Sequence, residues 1–264
     1  ANQAQATISQ SSNTFTITPS TSSVNSGVFT LRYKASDGLY STSRSTTYSL
    51  VFIPQSSSLF GHWDIGDSNS YSGSGTTWND LSGNGRNLTI ENGSYNSSGF
   101  GGTPVWDWTG TDARIDLPDD LSSVKTFMFI WGFPTGSGRQ VIIKEGSSTF
   151  GGYVNSDWTI STKTTVGGTH SGEVMSSDMN GNALSSQGTA YTAYGYMELD
   201  KLNIWTLRGY QANASTTTYA DYSNYNHAHQ LRAIFMWTTM LTDAEIKEVY
   251  DLFPTGSMAT WDGA

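Results

Sequence analysis

Residues Leu231 to Phe253, LRAIFMWTTMLTDAEIKEVYDLF, constrain the fold of this chain more than any other stretch. Arg232 to Trp237 is an apolar and aromatic run with little alternation, the pattern of a strand buried on both faces. Thr242 stands where a helix N-cap belongs, and Glu245 three residues later completes a capping box in which each side chain satisfies a backbone donor. Leu241 and Ile246 fit the flanking hydrophobic staple. Ile246, Val249 and Tyr250 recur at helical spacing, so about three turns present one apolar face to a sheet. Pro254 and Gly256 are predicted to stop the helix.

The rest of the chain is written for strands. Only 13% of its 264 residues are charged, while Gly, Ser, Thr, Asn and aromatics abound, the composition of short strands joined by turn-rich loops. The expected class is therefore all-β. A net charge of −9 and a pI near 4.7 set the electrostatic field against phosphate backbones and anionic lipid, so no nucleic-acid partner is expected. The absence of Cys removes disulfides, thiolate metal sites and Cys nucleophiles together. No apolar run approaches the roughly 20 residues of a membrane-spanning helix, so no membrane insertion is expected. No signal peptide is visible, and a chain that begins with Ala is expected to be a processed product or a piece of a longer polypeptide.

The chain divides unevenly. In residues 1–54, Phe15 to Ile17, Phe29 to Tyr33 and Tyr48 to Phe52 alternate apolar with polar, with a Ser36-Asp37-Gly38 turn between the last two. The stretch FTLRYKASDGLYSTSRSTTYSLVF resembles the last strands of cadherin-like or immunoglobulin-like domains. Such a sandwich normally needs about 100 residues, so this module is expected to be incomplete and to complete its sheet on a neighbouring subunit or a separately cleaved segment. Residues 55–58 form a Ser-rich linker, 59–253 a large domain, and 254–264 a C-terminal tail.

Within the large domain, strands are predicted at 59–65, 105–108, 113–117, 126–133, 140–144, 158–161, 203–209 and 231–237, separated by Gly-rich punctuation. The order of signals is similar to a known family. Trp78 to Leu88, WNDLSGNGRNL, looks like the opening of the laminin-G-like jelly rolls of the concanavalin A-like lectin/glucanase superfamily. Trp108 to Pro118, WTGTDARIDLP, is similar to its second hairpin, Phe127 to Phe133 to its core strand, and Leu231 to Phe253 to its closing strand and helix. The resemblance implies a two-sheet antiparallel jelly-roll sandwich with one short C-terminal helix, preceded by the small incomplete Ig-like module.

Because the superfamily includes glycoside hydrolases, a carboxylate pair is sought. Glu198-Leu199-Asp200 begins like the glucanase E-x-D motif, but Leu202 and Asn203 occupy the positions of the second catalytic Glu, which leaves no proton donor for the leaving group. No enzymatic activity is expected. Asp80, Asp112 and Asp116 lie in or beside turns and can offer oxygen ligands to Ca2+, which laminin-G-like domains often bind; Asp in such turns also bonds its own backbone. His227-Ala228-His229 places two imidazoles on one strand face without a third ligand nearby, and reads as a surface or loop pair. Tyr71, Tyr153, Trp158, Tyr191, Tyr194, Tyr196, Tyr222 and Tyr225 sit beside polar or Gly-rich sequence. From these, Tyr153, Trp158, Tyr194, Tyr196, Tyr222 and Tyr225 are taken as candidate carbohydrate-binding residues, since exposed rings stack on sugar faces; the same rings serve equally well in a protein interface.

Architecture of this kind resembles the modular structural proteins of tailed phages. The expected function is a non-enzymatic virion structural or adhesion protein, such as a fibre, spike or capsid-decoration component, on the virion surface. Its lectin-like domain would face outward toward host glycans, and its N-terminal module would join other subunits, with a homo-oligomer expected. A secreted or cell-surface bacterial carbohydrate-binding module is the alternative, and a glycoside hydrolase a distant third.

Overall fold

The computed structural model describes residues 6–12, 14–19, 27–50, 52–108, 114–118, 120–133, 140–141, 143–145, 152–154, 159–162, 176–183, 186–187, 190–192, 197–209, 217–219 and 229–263. Two compact units divide the chain, Ala1–Pro54 and Gln55–Ala264.

The first unit contains two separate antiparallel hairpins. β1 (Ala6–Ser11) pairs with β2 (Thr14–Pro19), and β3 (Gly27–Ser36) pairs with β4 (Ser41–Leu50) in unbroken register from Gly27–Leu50 to Ser36–Ser41. The second hairpin turns where Ser36-Asp37-Gly38 predicts: the Asp37 carboxylate accepts from the Leu39 and Tyr40 amides, and Gly38 takes a φ of 94°.

The second unit is an all-β antiparallel sandwich with a single C-terminal helix. Its largest sheet gathers β5 (Leu59–Asp64), β8 (Ser94–Asn96), β9 (Val105–Trp108), β11 (Thr126–Gly132), β16 (Ser176–Met179), β17 (Asn182–Ala183), β20 (Asn203–Arg208) and β22 (His229–Trp237). Their order is β17-β16-β20-β11-β22-β9-β8, with β5 also on β22. The opposing sheet, ordered β13-β21-β10-β7-β6, joins β6 (Thr77–Trp78), β7 (Leu88–Glu91), β10 (Arg114–Asp116), β13 (Ile143–Glu145) and β21 (Thr217–Tyr219). A third sheet runs β12-β14-β15-β19-β18. It comprises β12 (Gln140–Val141), β14 (Gly152–Val154), β15 (Thr159–Thr162), β18 (Ser186–Gln187) and β19 (Ala190–Thr192).

The central strands are buried on both faces because each face has its own cover. Phe127, Phe129 and Trp131 of β11, with Ile234 and Met236 of β22 and Trp205 of β20, meet Leu88, Ile90 and Ile115 of the opposing sheet in one core. The alternate residues on β22, Ala233, Phe235 and Trp237, are equally buried. Phe235 packs edge-on against Phe253 beyond the helix, with ring centroids 6.3 Å apart. Strand alternation thus sends one row of side chains into the sandwich and the other toward the helix and the chain that follows it.

The helix, α1 (Asp243–Tyr250), carries the predicted cap: Thr242 Oγ1 accepts from the Glu245 amide, and the Glu245 carboxylate accepts from the Thr242 amide. Leu241 and Ile246, the staple pair, are both buried. The helix is eight residues long, shorter than the three turns expected, and ends before Pro254 is reached. It stops because residues 254–263 turn back and pack. Ser257, Met258 and Ala259 are buried, the Leu202 amide donates to Ser257 O, and the Ala259 amide donates to Leu202 O. Tyr250 Oη donates to Ala259 O at 2.7 Å, which fixes this return to the helix.

One junction binds the large sheet. The same edge of β22 pairs first with β9, from His229–Trp108 to Leu231–Trp106, and then with β5, from Ala233–Asp64 to Trp237–Leu59. Arg232 stands between the two partners. Its Nε lies 2.8 Å from Asp64 Oδ1, Nη2 donates to Asp64 Oδ2, and Nη1 donates to Pro104 O. The guanidinium fills the space where a Cβ on Gly66 would lie, 2.0 Å from Nη1, so any other residue at position 66 would have to displace it. Burial pushes the Asp64 carboxyl up, and the Arg232 charge draws it back down. Replacing Arg232 with Met strands a buried carboxylate. The expected loss in urea unfolding is about 3–5 kcal/mol, and the double change Arg232→Met with Asp64→Leu recovers part of it.

Candidate functional site

The segment that opens the family resemblance folds into a tight loop built around Asp80. Trp78 at its start is fully buried in the core. Asp80 Oδ1 accepts from the backbone amides of His62 and Ser82, and Oδ2 accepts from Ser82 Oγ and the Arg86 amide. Asn87 accepts from the Asp80 amide, and Asn84 Nδ2 donates to Leu59 O and Phe60 O. Arg86 closes the loop onto β5, with its guanidinium 3.9 Å from the Phe60 ring centre and Nη1 donating to Phe60 O. Burial pushes the Asp80 carboxyl up, but these donors more than offset it and hold the group below the usual carboxylate range. The carboxylate that the sequence marks as a Ca2+ ligand is thus spent on four protein donors.

Of the other two calcium candidates, the one described, Asp116, does not join it. Asp116 ends β10, more than half exposed, with its carboxylate 3.8 Å from the Arg114 guanidinium, which in turn holds Glu91 at 3.0 Å. Asp112 lies outside the described residues. Among the described residues no group of three or more His, Asp or Glu stands close enough to hold a metal.

The glucanase-like segment is committed to structure. Glu198 accepts the Thr260 amide, a bond that holds its carboxyl below the usual range. Asn203, at the position where a second Glu would stand, is fully buried. Its Oδ1 accepts from the Glu198 amide and from Asn180 Nδ2, while its Nδ2 donates to Glu198 O and Lys201 O. Asn180 accepts the Ile204 amide in return. This amide pair pins the 198–202 turn against β20, and Gly132 lets it pass, since a Cβ there would lie 2.1 Å from Lys201 O.

His229 is buried beside Trp108 and Phe133, with ring centroids 4.8 and 6.0 Å away, and is not a surface residue as its sequence setting suggested. It shares the buried face at the start of β22 with Leu231, while Gln230 and Arg232 between and beyond them are partly exposed. His227 lies outside the described residues, as do Trp158, Tyr194, Tyr196, Tyr222 and Tyr225. Tyr153 is placed by its backbone alone, in β14 opposite Val141 and Ser161. Tyr71 is a core residue, 4% exposed, and its hydroxyl donates to Gly75 O.

Tyr71 supports an aromatic that sequence reasoning missed. Tyr95, half-buried on the edge strand β8, packs against the core with its ring centroid 5.5 Å from that of Tyr71. Tyr71 in turn meets Trp106 edge-on at 5.5 Å. The exposed loop residues Ser72 and Ser74 flank Gly73, whose missing Cβ would lie 3.7 Å from the Tyr95 ring. A held aromatic plane with hydroxyls and open backbone beside it matches the chemistry of a sugar, which has apolar faces and a polar rim. The SYSGSG run around Tyr71 was the only signal, and it pointed to the supporting ring instead of the accessible one.

No protein-family model matches this sequence, and no curated protein matches it. Among solved structures, the chain is similar to a Trypanosoma rangeli sialidase in complex with sialic acid, at 11% identity and a TM-score of 0.48 over 76% of this chain and 34% of that one. A mutant of the same sialidase displaying trans-sialidase activity gives 12% and 0.49 over the same shares. The binding domain of botulinum neurotoxin DC in complex with rat synaptotagmin II gives 11% and 0.40, over 76% of this chain and 52% of that domain. The chain spans about a third of the length of the sialidases. The expectation of a chain without enzymatic activity is corrected to this extent: the solved structures to which it is similar include sialidases, which are enzymes. The sialidases' activity stays with them.

The Asp80 loop also encloses a titratable group. His62 is 9% exposed, and its ring stacks on Phe235 at 4.2 Å. Burial drives its imidazole from 6.5 down to about 4, against the pull of Asp80 and Asp67. The native state therefore holds it neutral while the unfolded chain takes up a proton, so stability falls as pH drops from about 6.5 to about 4 and this contribution levels off below. The expected difference between wild type and His62→Phe across that window is of order 3 kcal/mol, read from paired unfolding curves. Parallel pH profiles for the two proteins would contradict it.

Proposed function

We propose that the chain is an adhesion component of a virion surface whose second unit is a laminin-G-like jelly roll that binds glycans. The observation that carries the binding reading is Tyr95: a half-buried ring on an edge strand, backed by Tyr71 and Trp106 and bordered by the Ser72–Gly75 loop. A ring already fixed by its aromatic underlayer loses little freedom when a sugar stacks on it, which favours recognition by a small contact. The Trp78 to Leu88 and Leu231 to Phe253 segments support the family reading, because each supplies structure to the same sandwich. The virion setting is supported by architecture, with a small β module ahead of a lectin-like sandwich.

The negative charge of the chain suits neutral or cationic surfaces better than polyanionic ones. A glycan array probed with wild type and with Tyr95→Ala, each with and without EDTA, tests the reading. Wild type is expected to bind at least one glycan class, with Tyr95→Ala about tenfold weaker on it, a change of roughly 1.4 kcal/mol. The EDTA arm reports on calcium, and release of reducing ends from bound glycans reports on turnover. Absence of binding by wild type, or undiminished binding by Tyr95→Ala with its tryptophan fluorescence intact, overturns the assignment.

A further inference from the structure

Three Asn-Gly pairs occur in the chain, Asn84-Gly85, Asn92-Gly93 and Asn180-Gly181. In such a pair the glycine main-chain nitrogen can attack the asparagine side-chain carbon, because no Cβ on the second residue obstructs the approach. The fold treats the three differently. Asn180 is 1% exposed, its Nδ2 donates to Asn203 Oδ1 and its Oδ1 accepts from the Ile204 amide, so this carboxamide neither turns nor meets water. Asn84 is exposed, but its Nδ2 donates to Leu59 O, Phe60 O and Ser82 Oγ, and attack by Gly85 would break these bonds.

Asn92 and Gly93 are both exposed. They form the whole link between β7 and β8, where the chain passes from the opposing sheet to the edge of the large one. Asn92 takes a φ of 55°, a left-handed conformation that strains an L-residue. Ladders hold both ends of the link, with Glu91 opposite Arg114 and Ser94 opposite Asp107. Packing also demands glycine at its second position, since a Cβ on Gly93 would lie 2.0 Å from Trp106 Nε1 and 2.9 Å from Asp107 O. The close approach that keeps Gly93 therefore keeps a reactive pair at the surface.

We infer that Asn92-Gly93 is a self-modifying site, at which the native chain cyclises and hydrolyses to aspartate and isoaspartate while the other two pairs stay intact. The Gly93 nitrogen loses its proton and bonds to Asn92 Cγ, the Cγ–Nδ2 bond breaks, and ammonia leaves. Water then opens either carbonyl–nitrogen bond of the succinimide, with no oxidant or reductant. Either product places a new carboxylate beside Glu91, and isoaspartate adds a methylene to the main chain of a two-residue link. A backbone carried through the side-chain carbon is also released from the φ limits that strain Asn92. Tyr95 follows three residues on, and Trp106, which abuts Gly93, belongs to its aromatic support. A consequence for glycan binding rests on the Tyr95 reading; the modification itself does not, because mass alone reports it.

Trypsin places the three pairs in separate peptides, 45–86, 87–114 and 164–201. After incubation of the native protein, peptide 87–114 is expected to gain the mass of an amide exchanged for an acid. Fragmentation should place the gain at residue 92, an isoaspartyl methyltransferase should label the peptide, and the gain should come faster at alkaline than at neutral pH. The other two peptides keep their masses. In urea all three pairs convert, which identifies the fold as what separates them. Asn92→Gln, which would have to close a larger ring, leaves 87–114 unchanged. An unmodified 87–114 from native protein whose three pairs all convert in urea overturns the inference. So does native conversion of 45–86 or 164–201 at the same rate, or a gain in 87–114 that persists in Asn92→Gln.

Discussion

The ion pair between Arg232 and Asp64 is the point on which the sandwich depends. β22 lends one edge to two strands in succession, and where β5 leaves off and β9 begins the ladder would expose unpaired backbone groups. Arg232 resolves this with its main chain and its side chain together: its carbonyl accepts from the Ile65 amide, and its guanidinium reaches Asp64 on one strand and Pro104 O before the other. A pair this enclosed adds little net stability, since desolvation opposes the Coulomb gain. Its contribution is register: only one sliding position of β22 puts the fork between both partners. The Phe253 ring centre, 5.8 Å away, extends the same junction to the end of the helix.

How much of this was legible in the sequence follows the range of each interaction. The capping box and staple involve residues within five positions of one another, and both were read correctly. The all-β class and the buried run 232–237 depend on composition and pattern, which survive without knowledge of partners. The Arg232 to Asp64 contact spans 168 positions, and nothing local marks Arg232 as more than an interruption in an apolar strand. Asp80 was ambiguous for a physical reason. A carboxylate in a turn can bind an ion or gather amides, and the choice rests on His62 and Arg86, which only the fold brings to it. The glucanase-like Glu198 was set aside in the sequence for want of a second Glu, but the sequence does not show Thr260, the donor that occupies it. Most aromatic sugar-binding candidates fall outside the described residues, and Tyr95 escaped notice because edge exposure is a tertiary property.

The two units solve opposite problems. The second concentrates all nine Trp and nearly all the acidic residues, and buries seven of those Trp. Its buried Asn180 and Asn203 amides are bonded to each other and to the backbone, and together hold the 198–202 turn. The first unit has regular hairpins and a well-formed Asp37 turn but leaves Ile8, Phe15 and Tyr33 more than half exposed. Local geometry in one unit and tertiary packing in the other are thus nearly separate sources of order within a single chain.

The position of β22 also dictates when the second unit can come into being. Three of the strands it joins, β5, β9 and β11, are complete by residue 132, yet their common partner begins at residue 229. During synthesis the aromatic faces of those early strands must wait for almost a hundred further residues before the strand that covers them leaves the ribosome. Contacts so distant in sequence make for slow closure and a long exposure to aggregation. The Ser, Gly and Asn that abound between the early strands, which at first read as mere loop filler, are poor strand formers and so offer a waiting chain few segments to aggregate through.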